Sequence, residues 1–324
     1  MEELRRRLIK NVPSSLYHYT DANAFLGIIQ NHEMWASCIR FMNDYKEYTI
    51  AKELLVKKLT IFVQENFRKG AKTIEETLKE IDSIENSIDM FIISFSEKKD
   101  DIDQWRAYGK SIPNYSLSFH TKKICKSADI LIDQEQIFDR IKTYVYSDNK
   151  YPPVSKIMMP CIYDSKIQED LISEILQDSY EYITTNKKSY EDFITSVIKR
   201  FVYYAPIIKN KDYVSEKEWR IIVLFDEERQ KIEQLESDKK DLNDELIDFD
   251  KKYEKIDYRS NGSYFIPFFK LDFIDLDCID KVYIGACPDY KTIYESVKFL
   301  LQKKGMDVYN KDIIQKSKIA YRNW

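Results

Sequence analysis

A chain of 324 residues with 44% hydrophobic and 33% charged side chains, at a formal net charge of -4, has enough apolar surface for a sizeable core. Its acidic and basic residues are interspersed, so no field of one sign steers nucleic acid or a membrane surface toward it. Six glycines, with no Walker motif and no dinucleotide fingerprint, argue against a glycine-rich phosphate loop.

Five cysteines without a Cys-x-x-Cys pair fit a reducing compartment better than a disulfide framework. His18, His32 and His120 are the only histidines and lack metal-ligand spacing, so no metal is expected. The N-terminal MEELRRRLIKNVP has no apolar stretch of the signal-peptide kind, and no run is long enough to span a bilayer. A cytoplasmic location with no membrane partner is the expectation.

In chain order, Ser15–Thr20 reads as a short strand. Asp21 stands where a helix N-cap would, ahead of the amphipathic stretch Ala24–Gln30. Met34–Ser37 reads as a second strand. Apolar residues at helical spacing predict a helix over Glu47–Asn66 and, beyond Gly70, another over Thr73–Ile88. Together they form a helical insertion over 47–88. Asp89–Phe95 reads as a buried strand, Gln104–Tyr108 as one helical turn, and Tyr115–Phe119 and Arg140–Tyr146 as strands. Helices are predicted over Ser165–Thr184 and Tyr190–Tyr204, then a strand of high β-propensity over Glu218–Phe225. Lys281–Gly285 reads as a strand, Tyr290–Lys304 as a helix and Asp307–Asn310 as a strand. The order does not alternate regularly. An α+β fold with mixed or antiparallel sheets is therefore expected, in one domain over 1–324.

The most regular pattern precedes that last part. Ile232, Leu235, Leu242, Leu246, Phe249, Tyr253 and Ile256 follow an alternating three–four spacing, with Lys239 at the missing step. Such heptads predict a long helix inserted over 226–257. Its two readings are a coiled-coil arm that forms a homodimer and a surface helix lying on its own domain.

Four segments carry residues suited to chemistry. In LYHYT, alternation puts His18 and Thr20 on one side of a strand and Tyr17 and Tyr19 on the other. His18 can enter a cleft, or it can be a core histidine bonded to a backbone carbonyl. In SFSEKKDDIDQWRAYG, Ser94 and Ser96 share one side of a strand end, and Trp105 and Tyr108 share a helical face. The two aromatics can sandwich a flat ring, or Trp105 can anchor the loop. In EKEWR, Glu216, Glu218 and Arg220 share a face. A carboxylate there can hold sugar hydroxyls and stabilise a developing cation, or pair with Arg220 on the surface. In the tail KSKIAYRNW, Arg322 can bind a phosphate or carboxylate, or the segment can dock as a strand.

Taken together, LYHYT, MWAS…FMNDYKEY, FIISFSEKKDDIDQWRAYG, SEKEWRIIV, YIGACPD and SKIAYR resemble, in this order, a bacterial family known as domain of unknown function 2971. The heptad stretch lies outside that pattern, and SIPNYSLSF lacks the glycine that usually precedes the strand there. A strand histidine, a Ser-x-Ser strand end and a later Glu-x-Glu are also similar in layout to the ADP-ribosyltransferases. That second resemblance implies an ADP-ribosyltransferase-like sheet with NAD as substrate. It also implies Glu218, Glu216 and His18 as catalytic residues. His18, Tyr19, Thr20, Ser94, Ser96, Trp105, Tyr108, Arg220 and Arg322 would surround the nucleotide.

The leading expectation is an NAD-consuming ADP-ribosyltransferase or NAD glycohydrolase, as a toxin or anti-phage effector modifying an unidentified macromolecular acceptor. A non-enzymatic module that binds a nucleotide or a protein and assembles through its long helix is the alternative. A nuclease holding a divalent cation on Asp44, Glu47, Asp101 and Asp103 ranks third.

Overall fold

A computed structural model describes residues 7–42, 45–67, 75–76, 78–79, 88–108, 113–146, 156–226, 256–273, 275–309 and 312–319. Its strands are β1 (Ser15–Thr20), β2 (Glu33–Cys38), β3 (Ile88–Ser96), β4 (Tyr115–His120), β5 (Lys156–Pro160), β6 (Glu218–Asp226), β7 (Ile256–Ser260), β8 (Phe265–Asp272), β9 (Ile279–Ile284) and β10 (Ile314–Lys316). All ten belong to one sheet in the order β10-β9-β4-β1-β3-β2-β8-β7, with β6 on β3 and β5 on β6. Neighbours run antiparallel except β10, which lies parallel to β9. The helices are α1 (Ala22–Asn31), α2 (Tyr45–Asn66), α3 (Ile102–Tyr108), α4 (Thr121–Ser127), α5 (Gln134–Tyr146), α6 (Ser165–Thr185), α7 (Tyr190–Tyr204) and α8 (Tyr290–Lys303).

β3 is the hub of the sheet. β6 pairs along its whole length, from Ile88 opposite Asp226 to Ser96 opposite Glu218. Its other edge is shared. β2 pairs at Phe91 and Ile92, while β1 pairs at Ser96, so the two strands part company between those points.

Alternation along β3 and β6 feeds two cores. Met90, Ile92, Ile222 and Leu224 pack on one side with residues of α2, α5, α6 and α7. Phe91, Ile93, Phe95, Trp219, Ile221 and Val223 pack on the other with Phe25, Ile28 and Ile29 of α1, Ile124 of α4 and Val297 and Leu301 of α8. A central strand buried on both faces needs an unbroken apolar run, and MFIISF and WRIIVLF supply it. The helices begin where the sequence offers an acceptor. Asp21 Oδ1 accepts from Ala24 N at 2.9 Å. Ser189 and Asp192 close a reciprocal capping box at the start of α7.

The expected α+β class with a mixed, mainly antiparallel sheet is what the structure shows. Two elements differ. Arg140–Tyr146 is the end of helix α5, not a strand. Buried Ile137, Phe138 and Ile141 follow helical spacing, which the alternation over the last seven residues masks. At Asp307–Asn310 the described residues form a turn, and the strand in this region is β10, further on. The predicted helix over Thr73–Ile88 falls mostly outside the described residues, as does the heptad stretch 226–257. Where that stretch reaches described residues, Ile256 and Asp257 open strand β7 instead of continuing a helix.

Gly285, just after β9, shows how closely the elements fit. Its N–H donates to the Asn114 carbonyl at 2.9 Å. A Cβ placed there would lie 3.3 Å from that oxygen and 3.3 Å from the Trp105 ring. Gly285 on the neighbouring strand thus provides a close backbone approach beside Tyr115, where SIPNYSLSF lacks a glycine. Gly285→Ala should therefore cost roughly 1–3 kcal/mol of stability through overpacking. Urea unfolding of the variant measures this, and an unchanged midpoint would show that the α3 segment is not held tightly there.

Candidate functional site

Strand register decides which proposed site residues meet. Ser94 stands opposite Arg220 and Ser96 opposite Glu218, while Tyr17 stands opposite Ser96. Alternation therefore puts Tyr17, Tyr19, Ser94, Ser96, Glu218 and Arg220 on one face and His18 and Thr20 on the other, with Phe95 and Trp219. The expectation that His18 and Glu218 line one cleft is corrected on this ground. His18 Nδ1 lies 2.9 Å from the Ser94 carbonyl oxygen, and its ring sits 5.6 Å from that of Phe95. Burial, aided by the Arg259 charge, holds the imidazole below its ordinary value against the raising effect of the Ser94 bond. A neutral ring facing a carbonyl must carry its proton on Nδ1. His18 thus occupies the gap where β1 and β2 separate and satisfies a β3 carbonyl.

Trp105 is corrected in the same way. It is 3% exposed, its ring meets Tyr19 edge-on at 4.8 Å, and Nε1 donates to Asp100 at 2.7 Å. Asp100 also accepts from Ser317 Oγ at 2.6 Å and Lys318 N at 2.7 Å. Trp105 is the anchor that joins α3 to the C-terminal segment, with no free face for a ligand ring. Tyr19 and Thr20 are buried as well, and the Tyr19 hydroxyl donates to the Lys98 carbonyl at 2.7 Å. Arg322 lies outside the described residues, as do Asp44 and the side chain of Glu47. Asp101 caps α3, accepting from Gln104 N and Asp103 N, and pairs with Lys98 at 2.7 Å. Among the described residues no group of three or more His, Cys, Asp or Glu is placed to hold a metal ion.

What the fold does assemble is a buried ion cluster at the start of β6. Glu218 is 4% exposed. Its Oε1 accepts from Arg220 Nε at 2.8 Å, and its Oε2 accepts from Lys209 Nζ at 2.5 Å and Arg220 Nη2 at 3.1 Å. Lys209 Nζ also donates to Glu216 Oε2 at 2.6 Å. Arg220 Nη1 donates to the Pro206 carbonyl at 2.6 Å, and the Glu218 N–H donates to the Tyr163 hydroxyl at 2.9 Å. Two carboxylates thus face two cations, which is the condition for burying any of them. Burial would push the Glu218 carboxyl up, but the Arg220 and Lys209 charges overcome it and hold the group at about 2.

Lys209, Tyr163 and Gln168 were not legible as site residues. Lys209 follows a buried Pro-Ile-Ile run and precedes a charged stretch that reads as surface. The backbone fixes it: its N–H donates to the Ile162 carbonyl at 3.0 Å, and Gln168 Nε2 donates to both the Ile162 and Lys209 carbonyls at 2.6 and 2.7 Å. The one available signal is the excess of apolar residues before Lys209, which marks a lysine entering a core.

The cluster reaches the surface through Glu216. Its side chain is 16% exposed, against 2% for Lys209. Ser96 Oγ donates to the Glu216 carbonyl at 2.6 Å, which ties this turn to the end of β3. Beside it stands Tyr108, 39% exposed as a residue. Desolvation of its hydroxyl, and then the Glu218 and Glu216 charges, push that hydroxyl well above the ordinary tyrosine value. The Tyr213 ring lies 5.1 Å from Lys209 Nζ. Two carboxylates that share a buried ammonium, bordered by the partly exposed residues Tyr108 and Tyr213, suit a planar, hydroxyl-bearing ligand.

Removing one cation should be costly. Lys209→Met removes the ammonium that Glu216 and Glu218 share, and a loss of about 3–5 kcal/mol is expected. Glu218 has its carboxyl depressed in the folded state. Its contribution is complete above the ordinary carboxylate range near 4.5 and drains away as pH falls toward about 2. Stability measured by denaturant unfolding between those pH values should fall steeply in the wild type and less steeply in Glu218→Gln. Parallel acid limbs would contradict the ionised assignment.

No curated protein and no solved structure shows a significant match to the chain. A family model described as protein of unknown function (DUF2971) matches residues 104–221. Tyr108, Tyr163, Pro206, Lys209, Glu216, Glu218 and Arg220 all fall inside that match, while His18, Ser94 and Ser96 precede it. The segment that holds the whole ion cluster is thus the part of the chain that the DUF2971 family model matches, in agreement with the resemblance of its motifs.

Proposed function

We propose that the cluster at the start of β6 is the centre of an NAD-consuming site of ADP-ribosyltransferase or NAD glycohydrolase type. The observation that carries this reading is the sharing of the Lys209 ammonium by two carboxylates, Glu218 on the strand face of Ser94 and Ser96 and Glu216 in the turn before it, which reaches water beside the partly exposed Tyr108.

Cleaving the nicotinamide–ribose bond sends the bonding electron pair to the nicotinamide nitrogen and leaves an oxocarbenium-like sugar. A negative carboxylate beside the ribose favours that cation, and a ring stacked on nicotinamide holds the leaving group flat. In this reading the roles shift from those expected of the sequence. Glu216, the accessible carboxylate, takes the ribose hydroxyls and orients the incoming water or acceptor. Glu218 acts through Lys209 as a positioning residue. Tyr108 replaces Trp105 as the stacking wall. Ser94, partly exposed beside Arg220, borders the same face. His18 stands outside this set and holds β1 to β3. Consumption of NAD is the activity that would let such a protein act as a toxin or anti-phage effector.

The saturation of Glu218 by three donors favours a second reading, a module that binds a nucleotide without cleaving it. One experiment separates the two. The purified chain is incubated with NAD, with and without cell extract, and free nicotinamide is followed. Release is expected, falling by about 100-fold or more in Glu216→Gln with the fold intact. Tyr108→Ala should raise KM more than it lowers kcat. NAD binding without release, in both conditions, supports the binding module. Neither binding nor release removes the nucleotide reading altogether.

A further inference from the structure

The sheet ends on one side at β7, which pairs only with β8 among the described residues. An edge strand offers a row of backbone donors and acceptors to another strand. From Asp257 to Ser260 every residue of β7 is exposed. Tyr258 is 63% exposed, and Phe265, at the facing end of β8, is 71% exposed. Large aromatics left in water beside an open edge mark a contact surface.

The sequence of this edge, IDYRS, is complementary to itself. When two copies of β7 run antiparallel about a two-fold axis at Tyr258, Asp257 of each copy falls opposite Arg259 of the other. Shifting the axis to Asp257 or to Arg259 sets like charges opposite each other, and axes between residues set a charge against Tyr258 or Ser260. Only the Tyr258 register joins both opposite-charge pairs. It also sets the two Tyr258 side chains opposite one another. Ser260 stands opposite Phe265 within one chain, so Phe265 would flank Ile256 of the second copy on the same face. Each charge has a partner within its own chain, which pairing across the axis would exchange for the opposite charge. Asp257 is half exposed in its pair with Lys270 at 2.8 Å, and the Arg259 guanidinium makes a bond to the Ser37 hydroxyl at 2.8 Å.

We propose that β7 is a dimerisation edge, joining a second copy of this chain antiparallel about Tyr258 into one continuous sheet. This surface is independent of the cluster at β6 and of any activity there. It also differs from the expected coiled-coil route, since it uses the strand that follows the heptad stretch.

The full chain is examined by sedimentation velocity over a range of concentrations. The wild type should dimerise. Asp257→Arg and Arg259→Asp each set two like-charge pairs across the axis and should weaken the dimer by about tenfold or more, with the circular dichroism of the folded chain unchanged. An equimolar mixture of these two variants restores every opposite-charge pair and should recover the dimer, as should the doubly swapped chain. A monomeric wild type overturns the proposal. So do single variants that dimerise as well as the wild type, or a mixture of folded variants that stays monomeric. In those cases Asp257 and Arg259 are guards that keep the edge unpaired.

Discussion

A carboxylate within a protein interior is tolerable only when its charge is answered, and Glu218 is answered by both Lys209 and Arg220. Much else follows from meeting that condition. Lys209 must arrive from a separate segment, so Gln168 on α6 clamps its carbonyl and that of Ile162, which also accepts from the Lys209 N–H. Arg220 must reach Glu218 two residues before it, so it lies on the face they share, where Ser94 and not Phe95 is its neighbour. The Glu216 turn must close over the top, and Ser96 at the end of β3 holds it there. A central strand, a helix and a connecting segment are thus locked together by four charges. The one part of the lock that water reaches lies beside Tyr108.

The central strands were readable because burial on both faces demands apolar runs, and MFIISF and WRIIVLF allow no other assignment. The first strand, the cap of α1 at Asp21 and helices α2, α6 and α7 were readable from spacing and capping chemistry. The site was less so. Glu216, Glu218 and Tyr108 stand out in the sequence, but Lys209 is hidden at the end of an apolar stretch. The grouping of His18 with Glu218 failed because alternation gives the faces of each strand alone. Which face of β1 matches which face of β6 depends on registers through β3, and one sequence does not contain them. Trp105 failed for a different reason. A tryptophan near a polar loop looks the same whether it waits for a ligand or is pinned by Asp100 and Gly285.

Two strand edges in the sheet solve different problems. At the β1 side, two strands compete for one edge of β3, and a histidine ring fills the place of a missing strand partner at Ser94. At the β7 side the edge has no second strand among the described residues and is charged, with aromatics around it. Between them the sheet offers one strongly polar interior point, and the family match encloses it.

The ionisation of that point is directly measurable. In protein carrying carbon-13 at the glutamate carboxyls, nuclear magnetic resonance follows each carboxyl through an acid titration. The account predicts that the Glu218 signal, assigned by its loss in Glu218→Gln, keeps its ionised position until the pH nears about 2. A Glu218 carboxyl that takes up its proton at or above the ordinary glutamate value would contradict the paired, charged cluster on which the proposed site depends.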